Sequence, residues 1–353
     1  MNATGPSDGR QLPCIGAFAP EVNGEKCLLA RAAFSKCRAC ADACPAGAIL
    51  CDRDGLGINQ EACLGCGLCV PVCPEAAIAS PFEPQLRDYQ GTKAVFVACE
   101  MVLSQDAPDH GRDRIPCLHM LGLRELEVVR RKGADVVIAA CGDCAACVPV
   151  NGRRIAETAL VFRTMLASRN IDALEVRVVE ISGWHGLRQQ TELLSPGRVV
   201  GRRGFLQLLS RPLNTTLGQE QEQAGAFGIP IRSANDVVAY RPIIDVEKCV
   251  GCDACVKVCP HGAIAPSKTG EEDIYTIDAF ACTGCKLCVD ICDEGAVGVA
   301  GLGPPEQTRI SLVSFRCKQC GVLGHLPAGR LAPQLCWICA RLDRRQRLFQ
   351  VNG

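Results

Sequence analysis

Between residues 249 and 292 eight cysteines stand in two runs of one spacing: Cys249, Cys252, Cys255 and Cys259, then Cys282, Cys285, Cys288 and Cys292. Each run reads C-x2-C-x2-C-x3-C, and Pro260 follows the first. Neither disulfides nor zinc asks for two matching runs that each contain a three-residue step. A pair of cubane iron–sulfur clusters does, because three closely spaced thiolates wrap one face of a cluster while the fourth reaches the neighbouring cluster. The spacing therefore predicts one [4Fe-4S] site from Cys249, Cys252, Cys255 and Cys292. A second takes Cys282, Cys285, Cys288 and Cys259. Gly251 and Gly284 lie inside these loops, where a missing side chain lets backbone amides approach the cluster sulfides.

Residues 243–300 resemble bacterial two-cluster ferredoxins on these motifs, with Asp293 where that family has proline after the last cysteine. A related block lies at residues 27–80. There Cys63, Cys66, Cys69 and Cys73-Pro74 fit the spacing completely, whereas the preceding run supplies only Cys37, Cys40 and Cys44-Pro45, with Phe34 in the place of its first cysteine. One expected site is Cys63, Cys66, Cys69 and Cys44. The other needs a substitute ligand: Cys27 is the first candidate and Cys51 the second, and the alternative is an incomplete or [3Fe-4S] cluster.

Between the blocks, residues 93–98 read as a buried strand, 121–132 as an amphipathic helix and 134–140 as a second buried strand, a βαβ signature. Helical spacing at 155–168 and alternation at 174–181 continue it around a parallel sheet. Cys99 ends the first strand, Cys117 follows Pro116, and Cys141, Cys144 and Cys147 follow the second strand. The carboxyl ends of parallel strands are where such folds build sites. Four of these five thiols suffice for a [2Fe-2S] cluster, and the plainer reading is a set of packed, reduced cysteines. The segments 96–99, 116–117, 133–135, 141–144 and 151–152 are similar to the delta subunit of methyl-viologen-reducing hydrogenases. That resemblance implies a [2Fe-2S] centre on Cys99, Cys117, Cys141 and either Cys144 or Cys147, and electron delivery to a reductase.

Near the carboxyl end, Cys317-x2-Cys320 and Cys336-x2-Cys339 form two knuckles suited to one tetrahedral ion. Zinc is the leading ion, and a rubredoxin-like iron is the alternative. The basic stretch 341–347 reads as a solvated helix or a docking surface for an acidic partner. Only Cys14 and Cys51 of the 27 cysteines fall outside the named sets.

Cysteines this dense mean disulfides in a secreted chain or metal ligation in a reducing compartment. Residues 1–20 lack the apolar stretch of an export signal, no run is long and apolar enough to span a bilayer, and the cytoplasm is the expected location. The twin arginines Arg202-Arg203 stand mid-chain, where no export signal could act. Lys plus Arg (38) equals Asp plus Glu (38), so no summed field favours nucleic acid or an anionic membrane. Gly55-Leu56-Gly57 and Gly301-Leu302-Gly303 are too short for nucleotide loops, and five histidines support no hydrolytic triad.

The expected architecture is a multidomain α+β and α/β chain. A tail (1–26) precedes a ferredoxin-like dicluster module (27–85), and a central βαβ parallel-sheet domain (90–185) leads into a linker (186–240). A second dicluster module (241–303) and a zinc-ribbon-like segment (308–353) follow. The expected function is relay of single electrons between redox protein partners, such as dehydrogenase, hydrogenase or reductase subunits. Residues 31–49 look like ferredoxins that accompany formate dehydrogenases, which raises a second reading: an accessory protein for assembly of a molybdenum or tungsten oxidoreductase.

Overall fold

The computed structural model describes residues 20–52, 55–79, 82–103, 111–144, 147, 154–194, 224–270 and 272–341. Expectations for Cys14, the Arg202-Arg203 segment, most of the linker and most of the basic tail fall outside the described residues. The chain divides into two compact units, residues 1–33 with 37–233 and residues 34–36 with 234–353.

The first unit opens with a ferredoxin-like part. Short helices α1 (Leu28–Arg31) and α2 (Ala39–Ala43) precede the hairpin β1 (Ile49–Asp52) and β2 (Gly55–Ile58), and α3 (Cys69–Val72) follows. Val22 forms an antiparallel bridge with Ile78, so the part's small sheet begins ahead of Cys27.

A mixed sheet completes this unit, built from β3 (Leu86–Tyr89), β4 (Thr92–Cys99), β5 (Arg114–Ile115), β6 (Val136–Ala140), β7 (Glu175–Val179) and β8 (Glu192–Leu193). The order is β7-β6-β4-β3-β8, with β5 added beside the end of β4. β4, β5, β6 and β7 run parallel, whereas β3 and β8 pair antiparallel. The sheet is thus extended by an antiparallel edge that its hydrophobic pattern alone did not announce. β6 is apolar along its whole length because helices cover both faces of a parallel strand. The helices are α4 (Leu123–Arg131), α5 (Ile155–Ser168) and α6 (Ile181–Gln189), the last occupying part of the expected linker. Trp184 of α6 is fully buried against Phe96 and Ile138 and donates its indole N–H to the Ile138 carbonyl at 3.1 Å.

The second unit carries a second ferredoxin-like part. β9 (Arg241–Ile244) pairs with β12 (Val297–Ala300), while α7 (Ala254–Val258) precedes the hairpin β10 (Ile264–Thr269) and β11 (Glu272–Ile277), and α8 (Leu287–Asp290) follows it. The hairpin β13 (Arg309–Arg316) and β14 (Leu323–Pro327) then joins β11, making a four-stranded antiparallel sheet. Helix α9 (Trp337–Arg341) ends the described chain. The carboxyl-terminal cysteines are therefore mounted on the same sheet as the second cluster-binding part.

Candidate metal centres

All four cysteine runs finish in one local geometry. The fourth cysteine's sulfur accepts a hydrogen bond from the backbone N–H four residues on. Ala48 donates to Cys44 Sγ (3.3 Å), Ala77 to Cys73 Sγ (3.2 Å), Ala263 to Cys259 Sγ (3.2 Å) and Ala296 to Cys292 Sγ (3.3 Å). The turn behind each contact needs a left-handed residue, and Gly47, Ala76, Gly262 and Gly295 all have positive φ. An amide aimed at sulfur stabilises a thiolate and its cluster, so this donor set fits iron–sulfur ligation.

The three regular loops share a second feature. Gly65 and Gly67 flank Cys66, Gly251 and Asp253 flank Cys252, and Gly284 and Lys286 flank Cys285, every one of them in the left-handed region. The irregular run lacks it: Arg38 has φ −131°, and no residue from 34 to 40 has positive φ.

The sulfurs group across runs. Cys249 and Cys255 feel the charges of Cys252 and Cys292, while Cys282 and Cys288 feel those of Cys285 and Cys259. In the first unit Cys66 and Cys69 neighbour Cys63 and Cys44, and Cys37 and Cys40 neighbour Cys73. Burial, joined by this mutual repulsion, pushes Cys69, Cys255 and Cys288 up to about 12 and Cys282 to about 11. Thiols so placed become thiolates at neutral pH only when a cation shares the site.

Cys27 occupies the place of Cys249. In the second unit the Asp245 N–H donates to Ala296 O (2.7 Å) and Lys248 N–H to Asp245 O (3.2 Å). In the first unit Asn23 N–H donates to Ala77 O (2.7 Å) and Lys26 N–H to Asn23 O (3.2 Å). Cys27 and Cys249 each stand four residues after the first donor. Cys27 is buried and packs with Cys73 and Ala77. The signal was legible as a repeated tripeptide, Glu25-Lys26-Cys27 and Glu247-Lys248-Cys249, interrupted by an insertion before Cys37. Cys51 lies on β1 and packs beside Cys40.

The middle cysteines gather at the carboxyl ends of three parallel strands: Cys99 ends β4, Cys117 follows β5 and Cys141 follows β6. Cys99 neighbours Cys147 and Cys144, and Cys141 pairs with Cys144. Burial raises Cys117 to about 12 and Cys141 to about 11. Cys117 and Cys147 also pack against Cys66 and Leu68 of the ferredoxin-like part. A β-carbon on Gly67 would lie 3.3 Å from the Met120 side chain, and Arg124 of α4 donates to the Cys73 carbonyl (2.9 Å) and to that of Pro74. These last contacts carried no sequence signal, since ordinary apolar and basic residues make them.

In the second unit Cys317, Cys320, Cys336 and Cys339 converge with all sulfurs within 4.8 Å of one another. Cys320 Sγ and Cys336 Sγ are 3.8 Å apart. That matches the roughly 3.8 Å edge of a tetrahedron with metal–sulfur bonds of about 2.3 Å. The N–H groups of Cys320 and Cys336 lower Cys317 to about 6, while burial raises Cys339 to about 12.

Sequence reasoning missed what covers the Cys249 loop. Arg330 donates to the Cys249 carbonyl at 2.6 Å. His325 of β14 lies with Nε2 2.9 Å from Asp253 Oδ1 and 2.8 Å from Tyr275 Oη, and Tyr275 donates to the same carboxylate oxygen. Burial and that hydrogen bond push the Tyr275 phenol upward.

Residues 15–77 and 248–296 match the family described as the 4Fe-4S dicluster domain. The chain thus contains two iron–sulfur dicluster domains, which indicate [4Fe-4S] clusters. It is 41% identical over 49 residues to "Electron transport protein HydN" of Escherichia coli strain K12, covering 14% of this chain and 28% of that protein. It is 48% identical over 42 residues to a component of the ion-translocating oxidoreductase complex of Methanosarcina acetivorans, 12% of this chain and 16% of that one. It is 38% identical over 99 residues to a probable iron-sulfur subunit of the Frd operon of Proteus vulgaris, 28% of this chain and 63% of that one. The chain therefore spans less than two thirds of each of these relatives. Among the described residues no helix is long and apolar enough to cross a membrane.

Proposed function

We propose that the chain is an electron-transfer protein or redox subunit that passes single electrons between protein partners through its clusters. The observation that carries this reading is the continuity of thiol groups in the first unit. Cys27, Cys37, Cys40 and Cys73 would hold one [4Fe-4S] cluster, and Cys44, Cys63, Cys66 and Cys69 the next. Because each run lends its fourth thiolate to the other cluster, the two centres are necessarily neighbours. Cys66 then packs against Cys117, joining the second centre to the middle-domain cysteines. A site for substrate chemistry is not needed in such a relay, and the names of the relatives point the same way.

Cys99, Cys117, Cys141 and Cys144 or Cys147 are assigned a [2Fe-2S] centre, on their convergence and on the resemblance to the delta chain of the hydrogenases. Cys249, Cys252, Cys255 with Cys292, and Cys282, Cys285, Cys288 with Cys259, hold the remaining [4Fe-4S] clusters. Bound clusters supply one-electron chemistry; the protein's residues set burial and amide hydrogen bonding, the levers on potential. Cys317, Cys320, Cys336 and Cys339 are assigned structural zinc, which adds no redox step. A cytoplasmic setting, where thiols remain reduced, suits this chemistry.

The test is an anaerobic potentiometric titration followed by EPR, with Cys117→Ser as comparison. Conduction requires reversible reduction of the clusters and reoxidation by a partner, with transfer past the Cys66 loop slowed in the variant. Intact clusters that never turn over with a redox partner would favour the assembly role instead.

A further inference from the structure

Five thiols, not four, surround the irregular site of the first unit. Cys27, Cys37, Cys40 and Cys73 account for one cubane, and Cys51 packs beside Cys40. Cys51 packs with Cys40 and Leu56, and Leu56 also packs against Cys27 and Cys73. The second unit has no equivalent: three residues beyond Ala48 stands Cys51, and three beyond Ala263 stands Pro266. The fifth thiol thus accompanies the one run that is built differently.

That run differs in tethering too. In a regular run two residues separate the first cysteine from the second, so the first cannot move without dragging the loop. Nine residues, 28–36, separate Cys27 from Cys37, and they include helix α1. Cys51, by contrast, is fixed on β1 by pairing with Leu56.

We infer that Cys51 is a standby ligand able to replace Cys27 as the fourth thiolate of this cluster. The inference rests on the iron–sulfur reading of the site. The exchange is balanced: one sulfur–iron bond is lost at Cys27 and one gained at Cys51, the Cys51 proton passes to Cys27, and no electron moves. Such a pair keeps the site four-coordinate when Cys27 is displaced, and it gives this cluster two ligand states that its regular neighbours lack.

The test uses anaerobically prepared full-length protein, with iodoacetamide footprinting read by mass spectrometry and EPR of the oxidised state, in which intact [4Fe-4S] clusters are silent. In the wild type Cys51 is labelled and Cys27 protected. In Cys27→Ser, Cys51 labelling slows about tenfold or more, because a bound thiolate no longer reacts, and the oxidised sample stays silent. In Cys27→Ser/Cys51→Ser the [3Fe-4S] signal appears, while signals of the regular clusters after reduction show that the protein is folded. The inference is overturned if Cys27→Ser alone gives the [3Fe-4S] signal with Cys51 labelled at the wild-type rate. Protection of Cys51 in the wild type, or a silent double variant, also overturns it. Labile sulfide in the wild type separates the two levels: its absence defeats the cluster reading itself, whereas its presence with a failed exchange defeats only the standby role.

Discussion

The carbonyl oxygen of His325 lies 1.9 Å from where a β-carbon on Gly251 would stand. The hairpin that leads to the carboxyl-terminal cysteines therefore rests directly on the loop between Cys249 and Cys252, and glycine is required there twice over. Its φ of +66° is left-handed, and its missing side chain makes room for another backbone.

Gly251→Ala is expected to cost far more than the roughly 1–2 kcal/mol of left-handed backbone strain, because backbone rather than a flexible side chain blocks the new methyl group. Gly262→Ala is the matched control, with φ +64° and nothing within 4 Å. Thermal unfolding and iron content read both: the control should lose only the strain cost and keep its iron, while Gly251→Ala loses the Cys249 cluster or the hairpin contact.

Asp113 is fully buried and ion-paired to Arg87 and Arg188, each at 2.7 Å, tying β3 and α6 to the turn that leads into β5. Asp113→Ala leaves the Arg87 guanidinium buried without its carboxylate and should cost about 3–5 kcal/mol. Replacing Asp113 and Arg87 together by leucine and methionine should restore most of that. Chemical denaturation followed by circular dichroism measures both, and equal losses in the two variants would contradict the assignment.

The four-cysteine site is expected to differ from the cluster sites in what it holds. Cys336→Ser should remove one tightly held metal ion per chain and leave acid-labile sulfide unchanged. Parallel loss of sulfide would mean that the carboxyl-terminal thiols take part in a cluster.

Cysteine spacing made the regular runs readable, because a cubane dictates where its thiolates stand along the chain. Apolar runs likewise pointed to strands near Phe96 and Ile138 and to the helix at 155–168. Two things lay outside these patterns. The match of Cys27 to Cys249 is not in the cysteine spacing, which an insertion that includes helix α1 breaks, but in a repeated Glu-Lys-Cys tripeptide and in equivalent backbone hydrogen bonds. His325, Arg330, Met120 and Arg124 bind cluster loops through backbone carbonyls and close packing, which leave no pattern in residue type. The antiparallel side of the sheet, β3 and β8, was hidden for another reason: Leu86–Tyr89 is short and half polar, and the edge strand beyond it, Glu192–Leu193, is only two residues long.

Acid-labile sulfide, measured on anaerobically purified full-length protein, tests the central claim most directly. Four [4Fe-4S] clusters require roughly sixteen sulfides per chain, and a [2Fe-2S] centre adds about two more. A brown sample with that content supports the account. A colourless sample whose cysteines hold zinc and no sulfide would contradict it.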